Sequence, residues 1–207
     1  MRSRRIIWII LLIMFIVGCE PKTEQELFYK AQKKLNKMES YSCQVEIIST
    51  GNKNPEKHTM KQWFKKPNKY KLEVIGPKDS KGKMIIGNGN KAWIYHPGIE
   101  QTWMMEEFLN SEEQNMFLGY FIRNSLNSEQ VKGSIEKLEK KEYIKIDTDI
   151  PGNHVYYHKE RLWIDLDALE PYLLEVFDIK GEKRIEIKYS DFQYNPKLGD
   201  EMFLMTK

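Results

Sequence analysis

From residue 41 onward, apolar and polar residues alternate with a period of two, segment after segment, and this pattern allows little but an antiparallel sheet. Tyr41, Cys43, Val45 and Ile47 share one face of a strand predicted over 41–50. A second is predicted over 60–65, ending at Pro67-Asn68, and a third over 69–75, where Tyr70, Leu72 and Val74 share a face. Asn88-Gly89-Asn90, between strands predicted over 83–87 and 91–95, is a hairpin signal, because such a tight turn needs positive φ, which Asn and Gly adopt at low cost. His96-Pro97-Gly98 turns the chain into a strand over 100–105. Later strands are predicted over 131–141, 142–147, 155–157 and 161–165. A long hairpin follows, 172–179 with 183–191, around Lys180-Gly181-Glu182.

Two helical segments interrupt the pattern. Thr23 and Glu26 form a capping box that opens a helix reaching about residue 39, with Leu27, Phe28, Ala31, Leu35 and Met38 on one face. Ser111 and Gln114 form a second box, opening a segment to about Leu126 that carries Phe117, Tyr120, Phe121 and Ile122, with Gly119 weakening its middle. Together these predict an α+β fold. A strongly curved antiparallel sheet forms an open half-barrel, with the N-terminal helix and the inserted segment covering its concave face. Residues 23–207 contain no internal repeat and no Pro/Gly/Ser-rich linker, so they read as one domain.

A different kind of segment precedes this domain. Arg2, Arg4 and Arg5 lead into an uncharged apolar run over 6–17, then Gly18-Cys19. A run of about 12 residues falls short of the roughly 20 that span a hydrocarbon core, so residues 1–18 read as a cleaved secretory signal. Ile16-Val17-Gly18-Cys19 resembles the lipobox of bacterial lipoproteins, with Ile16 and Val17 where the commonest form has Leu and then Ala or Ser. A thiol is required at Cys19 because the lipid is carried on a thioether. Two acyl chains, palmitate among them, would bury roughly 25 to 30 methylenes at about 0.8 kcal/mol each, which makes attachment effectively permanent. Residues 19–22 form a tether whose extended reach is about 14 Å. The expected location is the extracytoplasmic face of a bacterial cell membrane or a forespore membrane.

The charge balance excludes a class of partner. The chain has 33 Lys plus Arg against 30 Asp plus Glu, and Arg2, Arg4 and Arg5 belong to the signal, which leaves 30 of each from residue 19 onward. Nucleic acid binding calls for a basic surface, so none is expected. Beyond Cys19 the only cysteine is Cys43, on an apolar strand face, so it reads as a buried thiol and no intrachain disulfide is available. Catalytic groups are sparse. His154 and His158 could share a strand face with Asp165 and Asp167 nearby, but spacing supplies only two metal ligands where a site needs three or four. The adjacent pairs Glu106-Glu107 and Glu112-Glu113 would diverge on a helix and cannot act as paired carboxylates. No enzyme, cofactor or metal is expected.

The apolar payload is large. Trp63, Trp93, Tyr95, Trp103, Phe117, Tyr120 and Phe121 could line the concave face of a curled sheet and hold an acyl chain or a partner's apolar segment, or they could simply fill the core.

Several stretches carry a family resemblance. Trp63-Phe64-Lys65-Lys66-Pro67-Asn68-Lys69-Tyr70-Lys71-Leu72-Glu73, then Gly87-Asn88-Gly89-Asn90-Lys91-Ala92-Trp93-Ile94-Tyr95, then Leu162-Trp163-Ile164-Asp165 and Tyr189-Ser190-Asp191-Phe192 resemble the LolA/LolB-like lipoprotein-carrier superfamily. With the lipobox and Met116-Phe117-Leu118-Gly119-Tyr120-Phe121, the chain is similar to the germination lipoproteins of spore-forming Gram-positive bacteria, GerS and its relatives. The superfamily implies a half-barrel with helices over its mouth and an apolar cavity. The germination group implies a non-enzymatic lipoprotein that assists a cell-wall amidase in modifying spore cortex. A permanent anchor on a short tether does not suit a protein that shuttles through an aqueous compartment. The alternative is a lipid-anchored receptor or carrier for lipids or lipoproteins, using the apolar cavity.

Overall fold

A computed structural model describes residues 23–50, 55–89, 91–108, 111–128, 131–152 and 154–205. Residues 1–18, Cys19 and the tether 20–22 lie outside the described residues. Helix α1, Glu24–Asn36, begins with the expected capping box: Glu26 N donates to Thr23 Oγ1 at 3.2 Å and Thr23 N to Glu26 Oε2 at 3.3 Å. It ends a few residues earlier than predicted, and the chain then turns into the sheet.

Among the described residues, eleven strands form one antiparallel sheet in two runs. The first comprises β1 Ser40–Ser49, β2 Glu56–Lys65, β3 Lys69–Gly76, β4 Met84–Asn88, β5 Lys91–His96 and β6 Gln101–Met105. The second comprises β7 Lys132–Leu138, β8 Lys141–Asp149, β9 Lys159–Asp165, β10 Pro171–Phe177 and β11 Lys183–Tyr194. Each run is a meander of consecutive hairpins, as the period-two segments and turn residues require. The spatial order is β6-β5-β4-β3-β2-β1-β11-β10-β9-β8-β7, so the first strand pairs with the last, Val45 opposite Tyr189 and Ile47 opposite Ile187. β6 and β7, consecutive in sequence, therefore stand at opposite edges. The connection between them must cross the sheet, and it does so over the apolar face.

That connection holds a 3₁₀ turn, Glu112–Met116, and helix α2, Leu118–Asn127. Here the structure corrects the predicted capping box. Ser111 makes no capping bond, its Oγ is buried without a hydrogen-bond partner, and Gln114 Oε1 instead accepts from Arg123 at 2.9 Å. The backbone of Phe117 is extended between turn and helix, which drops its ring into the core. A second correction concerns 155–157, which is loop; β9 starts at Lys159, and Val155 O accepts from Ile179 N at 3.0 Å instead of joining a ladder. β2 begins at Glu56, four residues before its apolar alternation does.

The core lies between the concave face and the two helices. Tyr41, Val45, Ile47, Phe64, Tyr70, Leu72, Ile144, Leu162, Leu174 and Ile187 are buried there with Ala31, Leu35 and Met38 of the α1 region and Phe117, Leu118, Phe121 and Ile122 of the crossover. Burying such a side chain contributes about 1.5–3 kcal/mol. Both helices press close. Phe28 of α1 occupies the space that a Cβ on Gly133 would need, within 2.2 Å, and Phe64 stands 2.7 Å from where a Cβ on Gly119 would lie. Among the described residues no helix is long and apolar enough to cross a membrane.

Candidate functional site

Alternation along the strands sorts the predicted groove residues between the two faces. Ala92 and Ile94 of β5 point to the concave side with Gly87 and Ile85 of β4, so Trp93 and Tyr95 point outward, and the same parity puts Trp63 of β2 outside. Lys71 Nζ lies 5.4 Å from the Trp63 ring. Trp103 lies opposite Ile94, on the concave side of the edge strand, 46% exposed and edge-on to His96. Phe117 and Phe121 are fully buried, and Tyr120 is half-buried with the Arg123 guanidinium 4.7 Å from its ring. The structure thus does not bring the seven rings to one groove.

The concave side is largely filled. Phe192, Tyr41, Phe64, Tyr70 and Phe117 form a run of contacts with centroids 4.8–5.5 Å apart, and Phe108 closes it against Tyr70 and Phe117. Gln62, buried beneath, accepts from the Tyr41 hydroxyl at 2.6 Å and donates to Met116 O at 2.8 Å, which fastens the crossover to the sheet. A space of about 180 Å³ remains near Met60, Leu72, Ile85 and Met116, smaller than the pockets that usually hold a small-molecule ligand. The outer face has more room. A concavity of about 750 Å³ lies between Trp93, Tyr95, Met84 and the C-terminal segment carrying Met202, Leu204 and Met205. That segment is held by Asp200, which pairs with Lys65 at 2.7 Å and Lys69 at 2.9 Å, and the two ammonium groups pull its carboxyl down to about 2.

Two polar arrangements escaped the sequence reading. His58 Nδ1 lies 3.3 Å from Ser80 Oγ, and His58 Nε2 lies 3.6 Å from Glu56. This looks like a Ser-His-carboxylate set, but the Ser80 hydroxyl also donates to Pro77 O at 3.3 Å and Glu56 stands in solvent. A hydroxyl committed to a carbonyl is not poised to give its proton to the ring, so the contact ties the Pro77–Ser80 turn to β2. The second is Glu160, fully buried on the concave face opposite Thr148 and Val176. Its Oε2 accepts from Asn124 Nδ2 of α2 at 3.0 Å, and its Oε1 has no hydrogen-bond partner. Burial pushes this carboxyl up to about 8, against the opposing pull of Asn124 and Arg123. Period two does place Glu160 with Leu162 and Ile164, which is the signal that could have found it. The bond from Asn124 ties α2 to β9 here, so Glu160 reads as a lock between helix and sheet.

The remaining candidates are inert or dispersed. Cys43 is buried, and desolvation drives its thiol well above the usual range. His154 and His158 lie in the loop before β9, not on one strand face, and no group of three or more metal-ligating side chains converges among the described residues. Asp165 is engaged by Lys141 and caps the turn with Asp167 N and Ala168 N.

Comparison with known proteins bears on this arrangement. The profile of a family described as sporulation protein YdcC-like matches residues 2–203. Sporulation protein YdcC of Bacillus subtilis (strain 168) is 20% identical over 195 residues, covering 94% of this chain but 57% of that protein, so the chain spans little more than half its length. Among solved structures, a chain of the Clostridioides difficile CwlD amidase in complex with the GerS lipoprotein is 34% identical, covering 86% of this chain and all of that one, with a TM-score of 0.50. A LolA superfamily protein from Nitrosomonas europaea aligns at 16% identity over 89% of this chain and 99% of its own, with a TM-score of 0.49.

Proposed function

Because the chain belongs to the YdcC-like family of sporulation proteins, we propose that it acts at the envelope of a sporulating cell as a lipid-anchored, non-enzymatic partner of a cell-wall amidase. The observation that carries this reading is the 34% identity, over the whole of the matched chain, to a solved complex of an amidase with a lipoprotein. The chemistry of the fold supports it. His58 is committed to a local bond, the one described thiol is buried, and the buried carboxyl ties α2 to the sheet.

Cys19 carries the anchor in this reading. Radiolabelled palmitate should enter the wild-type chain and not Cys19→Ser, and the variant should leave the membrane fraction; equal labelling of both would refute anchoring at this residue. Affinity capture from sporulating cells should recover a cell-wall hydrolase identified by mass spectrometry. Recovery of none, with normal germination of a deletion strain, would refute the partner role.

A second reading is favoured by one observation, the outer concavity of about 750 Å³ with Trp93, Tyr95 and adaptable methionines. It is large enough for an acyl chain or an apolar peptide. A fluorescent fatty acid displaced by Trp93→Ala would support a receptor role; no uptake by the wild-type chain would remove it.

A further inference from the structure

We propose that the rim of the sheet at which α1 begins rests on the bilayer, with Val155, Tyr156 and Ile179 in its interfacial layer. The inference builds on the anchoring of Cys19 and adds an orientation to it. The direction of α1 fixes which rim is involved. Phe28 packs on Gly133 of β7, which lies opposite Ile146 of β8, whereas Lys34 donates to Ala168 O at 2.7 Å in the β9–β10 turn at the opposite end. The helix therefore points its N-terminus toward the end of the sheet where β8 finishes at Asp149. From Phe28 back to Thr23 is about 7–8 Å of helix. From Ile146 to Asp149 is about 10 Å of strand, so Thr23 stands near the level of that rim.

Cys19 precedes Thr23 by four residues, a reach of at most about 14 Å. A permanent lipid at Cys19 thus keeps this rim within reach of the membrane. Its loops offer large apolar side chains beside charged ones such as Lys180. Two connections meet there, from β8 to β9 and from β10 to β11, joined by Ile179 N donating to Val155 O at 3.0 Å. Val155 is 56% exposed, Tyr156 49% and Ile179 60%. Three large side chains held out of the core in two adjoining loops suit the boundary of headgroups and acyl chains, where a tyrosine keeps its ring in hydrocarbon and its hydroxyl in water. The Arg184 guanidinium lies 5.6 Å from the Tyr156 ring and is paired with Asp178 and Glu182, so the contact is apolar more than electrostatic. It should not depend on anionic lipid.

The test uses the full lipidated chain in vesicles of phosphatidylethanolamine and phosphatidylglycerol. Single cysteines at Val155→Cys, Ile179→Cys and, at the far rim, Asp167→Cys carry an environment-sensitive dye; Cys43 is buried and stays unlabelled. On vesicles the dyes at 155 and 179 should brighten several-fold, shift to the blue and be quenched by doxyl lipids, while the dye at 167 is unchanged. Raising the phosphatidylglycerol share should leave this contrast intact. A chain that binds vesicles while all three dyes remain in water overturns the orientation. A chain that does not bind vesicles, with Cys19 open to the dye, overturns instead the anchoring on which it rests.

Discussion

Replacing Glu160 with Gln should remove a pH dependence that the wild-type fold carries inside its core. The carboxyl holds its proton up to about 8 in the folded chain because burial penalises the charged form, whereas its ordinary value is 4.5. Between those values the native state binds more protons than the unfolded chain, so stability falls as pH rises. The loss is about 1.4 kcal/mol per pH unit, hence ~5 kcal/mol across the window, with the full stability present below it and no further fall above it. The groups facing Glu160 are Asn124, Arg123 and Tyr120 from α2, Thr148 from β8 and Tyr189 from β11. Glu160→Gln keeps an oxygen for Asn124 and cannot ionise. Urea denaturation of both proteins from about pH 5 to about pH 9 should give curves that start close together and diverge, the variant the more stable by several kcal/mol at the alkaline end. A constant offset over that range would refute the argument, since every other titrating group is common to both chains.

Gly119→Ala should destabilise by about 1–3 kcal/mol, although alanine is the better helix former, because its methyl would stand 2.7 Å from the Phe64 ring; a raised melting temperature would show that the ring yields freely. Native Cys43 should resist a thiol reagent under conditions that label the unfolded chain completely, since its sulfur is buried and its thiolate disfavoured. Fast labelling of the native protein would mean that β1 and its neighbours open readily.

What the sequence made legible follows from how local each determinant is. The hairpins, the capping box of Thr23 and the inward face of Tyr41, Cys43, Val45 and Ile47 depend on neighbours within a few residues, and they form as expected. The segment 111–117 has the letters of a capping box, but burying the Phe117 ring against Tyr70 requires extended backbone there, and tertiary packing prevails. Val155, Tyr156 and Tyr157 have strand-forming side chains, yet the pairing of β8 with β9 runs out at the bond from Ile150 N to His158 O, short of them. The groove residues share large size, but alternation decides facing: in β5 the small Ala92 points in, opposite Gly87 over which Phe108 and Tyr70 pack, and the large Trp93 and Tyr95 point out.

The pairing of the first strand with the last has a consequence in time. A chain made from its N-terminus presents β1 early and β11 late, yet the two are neighbours along the middle of the sheet. Until residues 183–194 arrive, the first meander has one long open edge along β1. Such an intermediate is both slow to complete and prone to pairing with the wrong strand. Completion of the sheet therefore waits for β11, and until it pairs the open edge of β1 must be kept from the wrong partner.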